Sequence, residues 1–182
     1  MKAINFPKYI KCERVYLRSL RSKDAEVLFD LIDSQRDYIG EHLDWVKYVK
    51  TVDDEVKYIK RRVEEAKNCK GFDWCIFRNN TDEFVGYIGT DPVSVELFEN
   101  GASIDWENGI LSFAFFLKKE ASGNGYMTEA LGALKDIAVE IGFKRIEIGA
   151  EETNIKSQKV AERCGFDHDK EDLGAMYFEN KN

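Results

Sequence analysis

Proline is nearly absent from this chain of 182 residues, with Pro7 and Pro92 the only two. There is also no Ser/Gly-rich stretch and no long charge run, so nothing marks a linker and a single domain over residues 1–182 is expected. Histidine is equally scarce, His42 and His168 alone, which leaves no pair of imidazoles at metal-ligating spacing. The four cysteines, Cys12, Cys69, Cys75 and Cys164, fall into no CxxC or zinc-like pattern and read as reduced thiols, so no metal is expected. Positive charge is outnumbered, 27 Lys and Arg against 34 Asp and Glu, a formal net charge of −7. That balance argues against direct contact with nucleic acid, which needs a basic stripe. No apolar run reaches transmembrane length, the N-terminus lacks a signal-like stretch, and no repeat occurs at solenoid periods. A soluble, cytoplasmic protein without a membrane partner is the expectation.

What is present is a patterned chain with 43% hydrophobic and 13% aromatic residues, enough for one substantial core. Residues 13–20 alternate around Val15 and Leu17 and predict a strand. Ser22 is placed to cap a helix carrying Ala25, Leu28, Phe29 and Ile32, and residues 36–48 predict a second short helix. Thr51 or Asp53 opens a third helix to about Lys67. Its apolar face holds Val56, Ile59, Val63 and Ala66, and its solvated face Lys57, Lys60, Arg61, Arg62, Glu64 and Glu65. Strands are predicted over 72–78 and 83–90, then a polar connection from Val95 to Asn108. A Phe-rich strand follows, with Leu111, Phe113, Phe115 and Leu117 on one face. A long helix with apolar Met127, Ala130, Leu131, Leu134, Ile137, Ala138 and Ile141 comes next, then a strand at 145–150. Asn154 introduces a last helix that stops at Cys164, where Gly165 suits a left-handed cap. The order predicts an α/β (α+β) fold, a mixed sheet with helices on its faces.

The most informative stretch is Ser122-Gly123-Asn124-Gly125-Tyr126-Met127-Thr128-Glu129-Ala130-Leu131, a glycine bend between the Phe-rich strand and the long helix. Bare amides and the positive dipole end of such a helix suit a pyrophosphate. A P-loop would need Gly-Lys-Ser/Thr and the chain has Gly125-Tyr126-Met127, so that reading is discarded. A dinucleotide fingerprint would need a third glycine where Thr128 stands, although Glu147 lies at the distance of a ribose-binding acid. A glycine turn without a ligand is the bland alternative.

A second segment, Asn154-Ile155-Lys156-Ser157-Gln158-Lys159-Val160-Ala161-Glu162-Arg163-Cys164-Gly165-Phe166, accompanies the bend. Together the two resemble the GNAT acyltransferase superfamily, specifically its branch of ribosomal-protein N-terminal acetyltransferases, with its GxGYxTEA bend and NxxSxxVAExxGF tail. Ile39, His42, Leu43 and Trp45 resemble the branch's upstream helix, and Val85-Gly86-Tyr87-Ile88-Gly89 its glycine-containing strand, so the resemblance spans about residues 13 to 166.

The resemblance implies a mostly antiparallel sheet splayed between its fourth and fifth strands, here the Phe-rich strand and the one at 145–150. It implies acetyl-CoA as co-substrate, its pantetheine arm on the backbone of Phe115, Phe116 and Leu117, with the amide near Phe116 polarising the thioester carbonyl. The pyrophosphate would sit on Gly123, Asn124, Gly125, Tyr126, Met127 and Thr128. Asn154 would bind the cofactor arm as well as cap its helix, and Ser157 would face the cofactor sulfur and serve the leaving thiolate. Many relatives use a Tyr seven residues after that Asn, where this chain has Ala161. Ser112 stands where relatives often carry a Glu, and with Trp45 it is assigned to the acceptor side. Glu120 replaces the Gln or Arg of some relatives, and only sixteen residues follow Phe166, so the closing hairpin is short. Glu41, Glu151 and Glu152 are the candidate bases, each also readable as a surface acid, and His42 reads as a packing residue.

The implied reaction is transfer of an acetyl group from acetyl-CoA to a primary amine. The branch favours the N-terminal α-amine of a ribosomal or other protein, and a small amine remains an alternative. A non-catalytic acyl-CoA-binding module stays open as well. Dimers are common in the branch, which leaves a homodimer open.

Overall fold

The computed structural model describes residues 6–90, 104–168 and 175–179. Two short strands, β1 (Tyr9–Lys11) and β2 (Val15–Ser19), lead through a 3₁₀ turn at Ser22–Asp24 into α1 (Ala25–Ser34). The second predicted helix divides in two: α2 (Arg36–Gly40) and a 3₁₀ turn at Asp44–Tyr48, so His42 and Leu43 lie in the break between them. Next come α3 (Val52–Lys67), β3 (Asp73–Arg78), β4 (Phe84–Thr90), β5 (Ile104–Asp105) and β6 (Ile110–Leu117). The chain ends with α4 (Tyr126–Ile141), β7 (Arg145–Gly149), α5 (Ile155–Arg163), β8 (Asp167–His168) and β9 (Ala175–Glu179). Most of the polar connection read between Val95 and Asn108, residues 95 to 103, lies outside the described residues.

The strands form one sheet in the order β1-β2-β3-β4-β6-β7-β9-β8, with β5 paired to β6. Every described pairing is antiparallel except β6 with β7. Alternation along the strands feeds two cores. Trp74, Ile76, Val85, Ile88, Leu111 and Phe113 face the apolar stripe of α4 and part of α5. Leu20, Cys75, Phe84 and Tyr87 face α1, α2 and α3 on the opposite side. Helices therefore cover both faces of the sheet.

Helix α3 starts where predicted. Thr51 Oγ1 accepts from the Asp54 amide at 3.3 Å, and Asp54 Oδ2 accepts from the Thr51 amide at 3.0 Å, closing a capping box. Its charged face departs from the expectation at two positions. Arg62 is buried, donating to Asp73 Oδ2 at 2.8 Å and Oδ1 at 2.9 Å, and Glu65 joins the cluster at 2.7 Å. Helical spacing cannot reveal that a partner on β3 will neutralise one arginine of a polar face. Gly89 on β4 is part of the same arrangement, because a Cβ there would collide with the Asp73 carboxylate and the Tyr87 hydroxyl.

Candidate active site

Strands β6 and β7 pair in parallel only from Ile110↔Arg145 to Phe113↔Ile148. Beyond Phe113, β6 runs on to Leu117 and β7 stops at Gly149, so the two strands part. A cleft of about 740 Å3 occupies the opening, lined by the end of β6, the bend at Ser122–Thr128, the start of α5 and the segment around His42.

The direction of the β6 backbone follows from one bond and one register. Lys118 N–H donates to Val85 O at 2.8 Å, and β4 and β6 pair Gly86 with Leu117 and Tyr87 with Phe116. In an antiparallel ladder alternate residues turn their amides to the partner, so Phe116 is directed at Tyr87 and its N–H is used within the sheet. The N–H and C=O of Phe115 and Leu117 are directed to the opened side, as an extended ligand arm requires. The polar backbone expected at Phe116 is thus offered by its two neighbours, and the Phe116 side chain goes to the other face. There it stacks on Tyr87, 5.4 Å between ring centroids, and meets Trp45 at 5.7 Å.

At the bend, Gly123 and Gly125 hold φ of +82° and +79°, a region open to glycine and strained for other residues. The Glu129 amide finds Gly125 O at 3.1 Å, which is the first bond of the helical ladder. The amides of Tyr126, Met127 and Thr128 precede it and have no carbonyl one turn back. Thr128 Oγ1 is buried and has no hydrogen-bond partner. These groups fit a pyrophosphate. Met127 is buried, and the side chains of Asn124 and Tyr126 are not part of the cleft wall. Asn124 turns its amide to the carbonyls of Ala121 and Ser122, while Tyr126 lies beneath Arg14 and Arg78. Arg14 ties the bend to the edge of the sheet through an ion pair to Glu129 and a 2.8 Å bond to Asn124 O.

Asn154 Oδ1 accepts from the Ser157 amide at 3.1 Å, the cap read from the sequence. Both residues line the cleft. So do Lys156, Lys159 and Arg163, spaced to put three cations along one flank of α5, a feature the sequence analysis missed. The i, i+3, i+7 spacing is legible in the sequence, but nothing local says that this flank lines the cleft. Trp45 reaches the cleft as expected. Ser112 does not: it is fully buried within the β6–β7 pairing, and its Oγ has no partner. Of the three candidate acids, Glu41 and Glu151 reach the cleft. His42, read as packing, also lines it, with Nδ1 3.2 Å from Glu151 Oε2 and Nε2 4.0 Å from Glu41 Oε1. Two cysteines are chemically quiet. Burial raises the Cys164 thiol to about 11 and pushes Cys75 well above its usual range. Among the described residues no group of three or more His, Cys, Asp or Glu could hold a metal, and no helix is long and apolar enough to cross a membrane.

Comparison with known proteins agrees with this geometry. A family model described as an acetyltransferase (GNAT) domain matches residues 14–167. A probable N-acetyltransferase of Bacillus subtilis (strain 168), YjcK, is 30% identical over 163 residues, which is 86% of this chain and 82% of that protein. Among solved structures, the microcin C7 self-immunity acetyltransferase MccE, in complex with acetyl-CoA and AMP, superposes with a TM-score of 0.80 at 22% identity. The match covers 96% of this chain and 98% of that one. RimL, a ribosomal L7/L12 α-N-protein acetyltransferase in complex with coenzyme A, gives 0.81 at 19% identity, covering 94% and 97%. RimJ of Mycobacterium smegmatis gives 0.79 at 18%, covering 97% and 89%.

Proposed function

The chain belongs to the GNAT acetyltransferase family, and on that premise we propose that it transfers the acetyl group of acetyl-CoA to the N-terminal α-amine of a ribosomal or other protein. The observation that carries the transfer chemistry is the single cleft that joins three features. These are the outward backbone of Phe115 and Leu117, the open first turn of α4 with Thr128, and Ser157 at the start of α5. The protein acceptor is supported by the likeness to RimL and RimJ.

Acetyl-CoA, when bound, supplies a thioester carbonyl activated for attack. The bend and the first turn of α4 hold its pyrophosphate, and Lys156, Lys159 and Arg163 offset the phosphate charge in a protein that is acidic as a whole. The Phe115 or Leu117 amide donates to the carbonyl oxygen as negative charge gathers on it. His42, held by Glu151, takes the proton that the acceptor amine must shed. The N–C bond forms as the C–S bond breaks. The Ser157 hydroxyl donates a hydrogen bond to the departing thiolate, which takes its proton from solvent.

The test is thiol release from acetyl-CoA with ribosomal proteins, peptides with free N-termini and small amines, on the wild type and Ser157→Ala. Release with protein or peptide α-amines, and a drop in kcat of about 10-fold to 100-fold in Ser157→Ala with acetyl-CoA affinity kept, is the expected result. Release with small amines alone would reject the protein acceptor. Tight acetyl-CoA binding without turnover on any acceptor would favour the non-catalytic module.

A further inference from the structure

Behind Phe116 lies a second cavity of about 340 Å3 that the transfer chemistry above does not use. Leu43, Trp45, Ala114, Phe115 and Phe116 line both it and the cofactor cleft, so the two spaces meet at the end of β6. Trp45, Tyr48, Tyr58, Tyr87, Phe115 and Phe116 contribute rings to its wall. Into this space α3 brings Glu55, which is 2% exposed and whose Oε2 has no hydrogen-bond partner.

Asp54, Arg61 and Arg62 also line this cavity, and each is engaged with other groups. Arg62 is held by Asp73, Glu65 and the Thr90 carbonyl at 2.6 Å, and Arg61 pairs with Glu65 at 3.0 Å. Asp54 is used in the helix cap, accepting from the Lys50 and Thr51 amides and the Thr51 hydroxyl. Asp73 faces Arg62 and Tyr87, and the Tyr87 hydroxyl lies 2.8 Å from that of Tyr58. The residues that α1 and β6 place on the wall, Leu28, Ile32, Ala114, Phe115 and Phe116, carry no charge. A buried carboxylate without a partner costs stability, and burial, with a contribution from Asp54, raises its pKa to about 7. A cation brought in by a ligand would relieve that cost, and aromatic rings around a carboxylate are a favourable setting for one.

We propose that this cavity receives a second cationic group of the acceptor, an ammonium or guanidinium carried a few atoms from the amine that is acetylated, with Glu55 as its counter-ion. The inference rests on the transfer reading and narrows its acceptors to amines with a second positive charge. Two sources share that chemistry, a small diamine and a protein N-terminus bearing a basic side chain.

Matched pairs test it: pentane diamine against pentylamine, and a free-N-terminus peptide beginning with lysine against the same peptide beginning with norleucine. Calorimetric titration into the protein loaded with coenzyme A, which has no acetyl group to transfer, reads binding, and thiol release from acetyl-CoA reads turnover. The wild type should favour the dicationic member of at least one pair about tenfold or more in affinity and in kcat/KM. The pair that shows the preference identifies the source. That preference should grow as the pH rises through about 7. Glu55→Gln should reduce it to near unity and Glu55→Asp should keep part of it, while acetyl-CoA binding reports that both variants are folded. Equal affinity for charged and neutral members, or a preference that survives in Glu55→Gln, overturns the proposal. Failure of the transfer reading is separate: it shows as silence in thiol release toward every amine, whereas binding alone decides the role of Glu55.

Discussion

His42 Nδ1 and Glu151 Oε2 stand 3.2 Å apart, joining the segment after α2 to the end of β7 across the cleft. A carboxylate on one ring nitrogen fixes the tautomer and leaves the other nitrogen as the proton acceptor. Replacing His42 by Gln should therefore lower kcat/KM about 10-fold to 100-fold, with acetyl-CoA affinity close to the wild type. Glu151→Gln should cost less, because the imidazole remains. A His42→Gln enzyme with an unchanged pH–rate profile would reject the proton-acceptor role.

The sequence made these residues visible to different degrees. Strand β6, the bend and α5 were readable because period-two alternation, left-handed glycines and an Asn cap are all local signals. The place of His42 on the cleft wall is not legible in the sequence, because its partner Glu151 lies 109 residues away at the end of another element. Ser112 was assigned to the acceptor side from family position, yet strand alternation and the β7 pairing bury it. Glu55 was invisible for a different reason. Three acids open α3, Asp53, Asp54 and Glu55, as a helix N-terminus favours. Only the rotation of the helix against the sheet decides which of the three is buried.

The two left-handed glycines of the bend should not respond alike to a methyl group. At Gly123 an added Cβ meets nothing within 4 Å, whereas at Gly125 it comes 2.8 Å from Arg14 Nη2. Both Ala variants force a positive φ, costing about 1–2 kcal/mol. Gly125→Ala must also move the guanidinium that holds Glu129 and Asn124. We expect Gly125→Ala to weaken acetyl-CoA binding the more, by about tenfold or above, with Gly123→Ala showing the smaller loss. Titration of both variants with acetyl-CoA checks this, and equal losses would mean that Arg14 does not brace the bend.

The Arg62–Asp73 pair predicts non-additivity. Burial opposes charge on Arg62, yet Asp73, with Tyr87 and Tyr58, holds the guanidinium above its ordinary range, while burial pushes the Asp73 carboxyl up in spite of Arg62. Arg62→Met strands the buried Asp73 carboxylate and should cost about 3–5 kcal/mol in urea unfolding, whereas Asp73→Asn leaves Arg62 with Glu65 and should cost less. The double variant Arg62→Met with Asp73→Leu leaves no charge unpaired and should cost clearly less than the sum. Additive losses would mean that the pair contributes nothing as a unit.

Glu55 predicts a pH dependence of stability with a definite sign. Its folded pKa is raised from 4.5 to about 7, so between those values the folded protein holds a proton that the unfolded chain has lost. The resulting contribution is fully present below about 4.5 and is lost as the pH rises through about 7. Glu55→Gln keeps the shape and cannot ionise, so it should melt higher than the wild type at pH 8, by on the order of 5 °C. The two melting curves should converge toward pH 5. Thermal unfolding without any ligand, scanned from pH 5 to pH 8, reads this directly. A variant less stable than the wild type at the alkaline end would show that the buried carboxylate has a partner in the free protein, and the cation site would lose its physical basis.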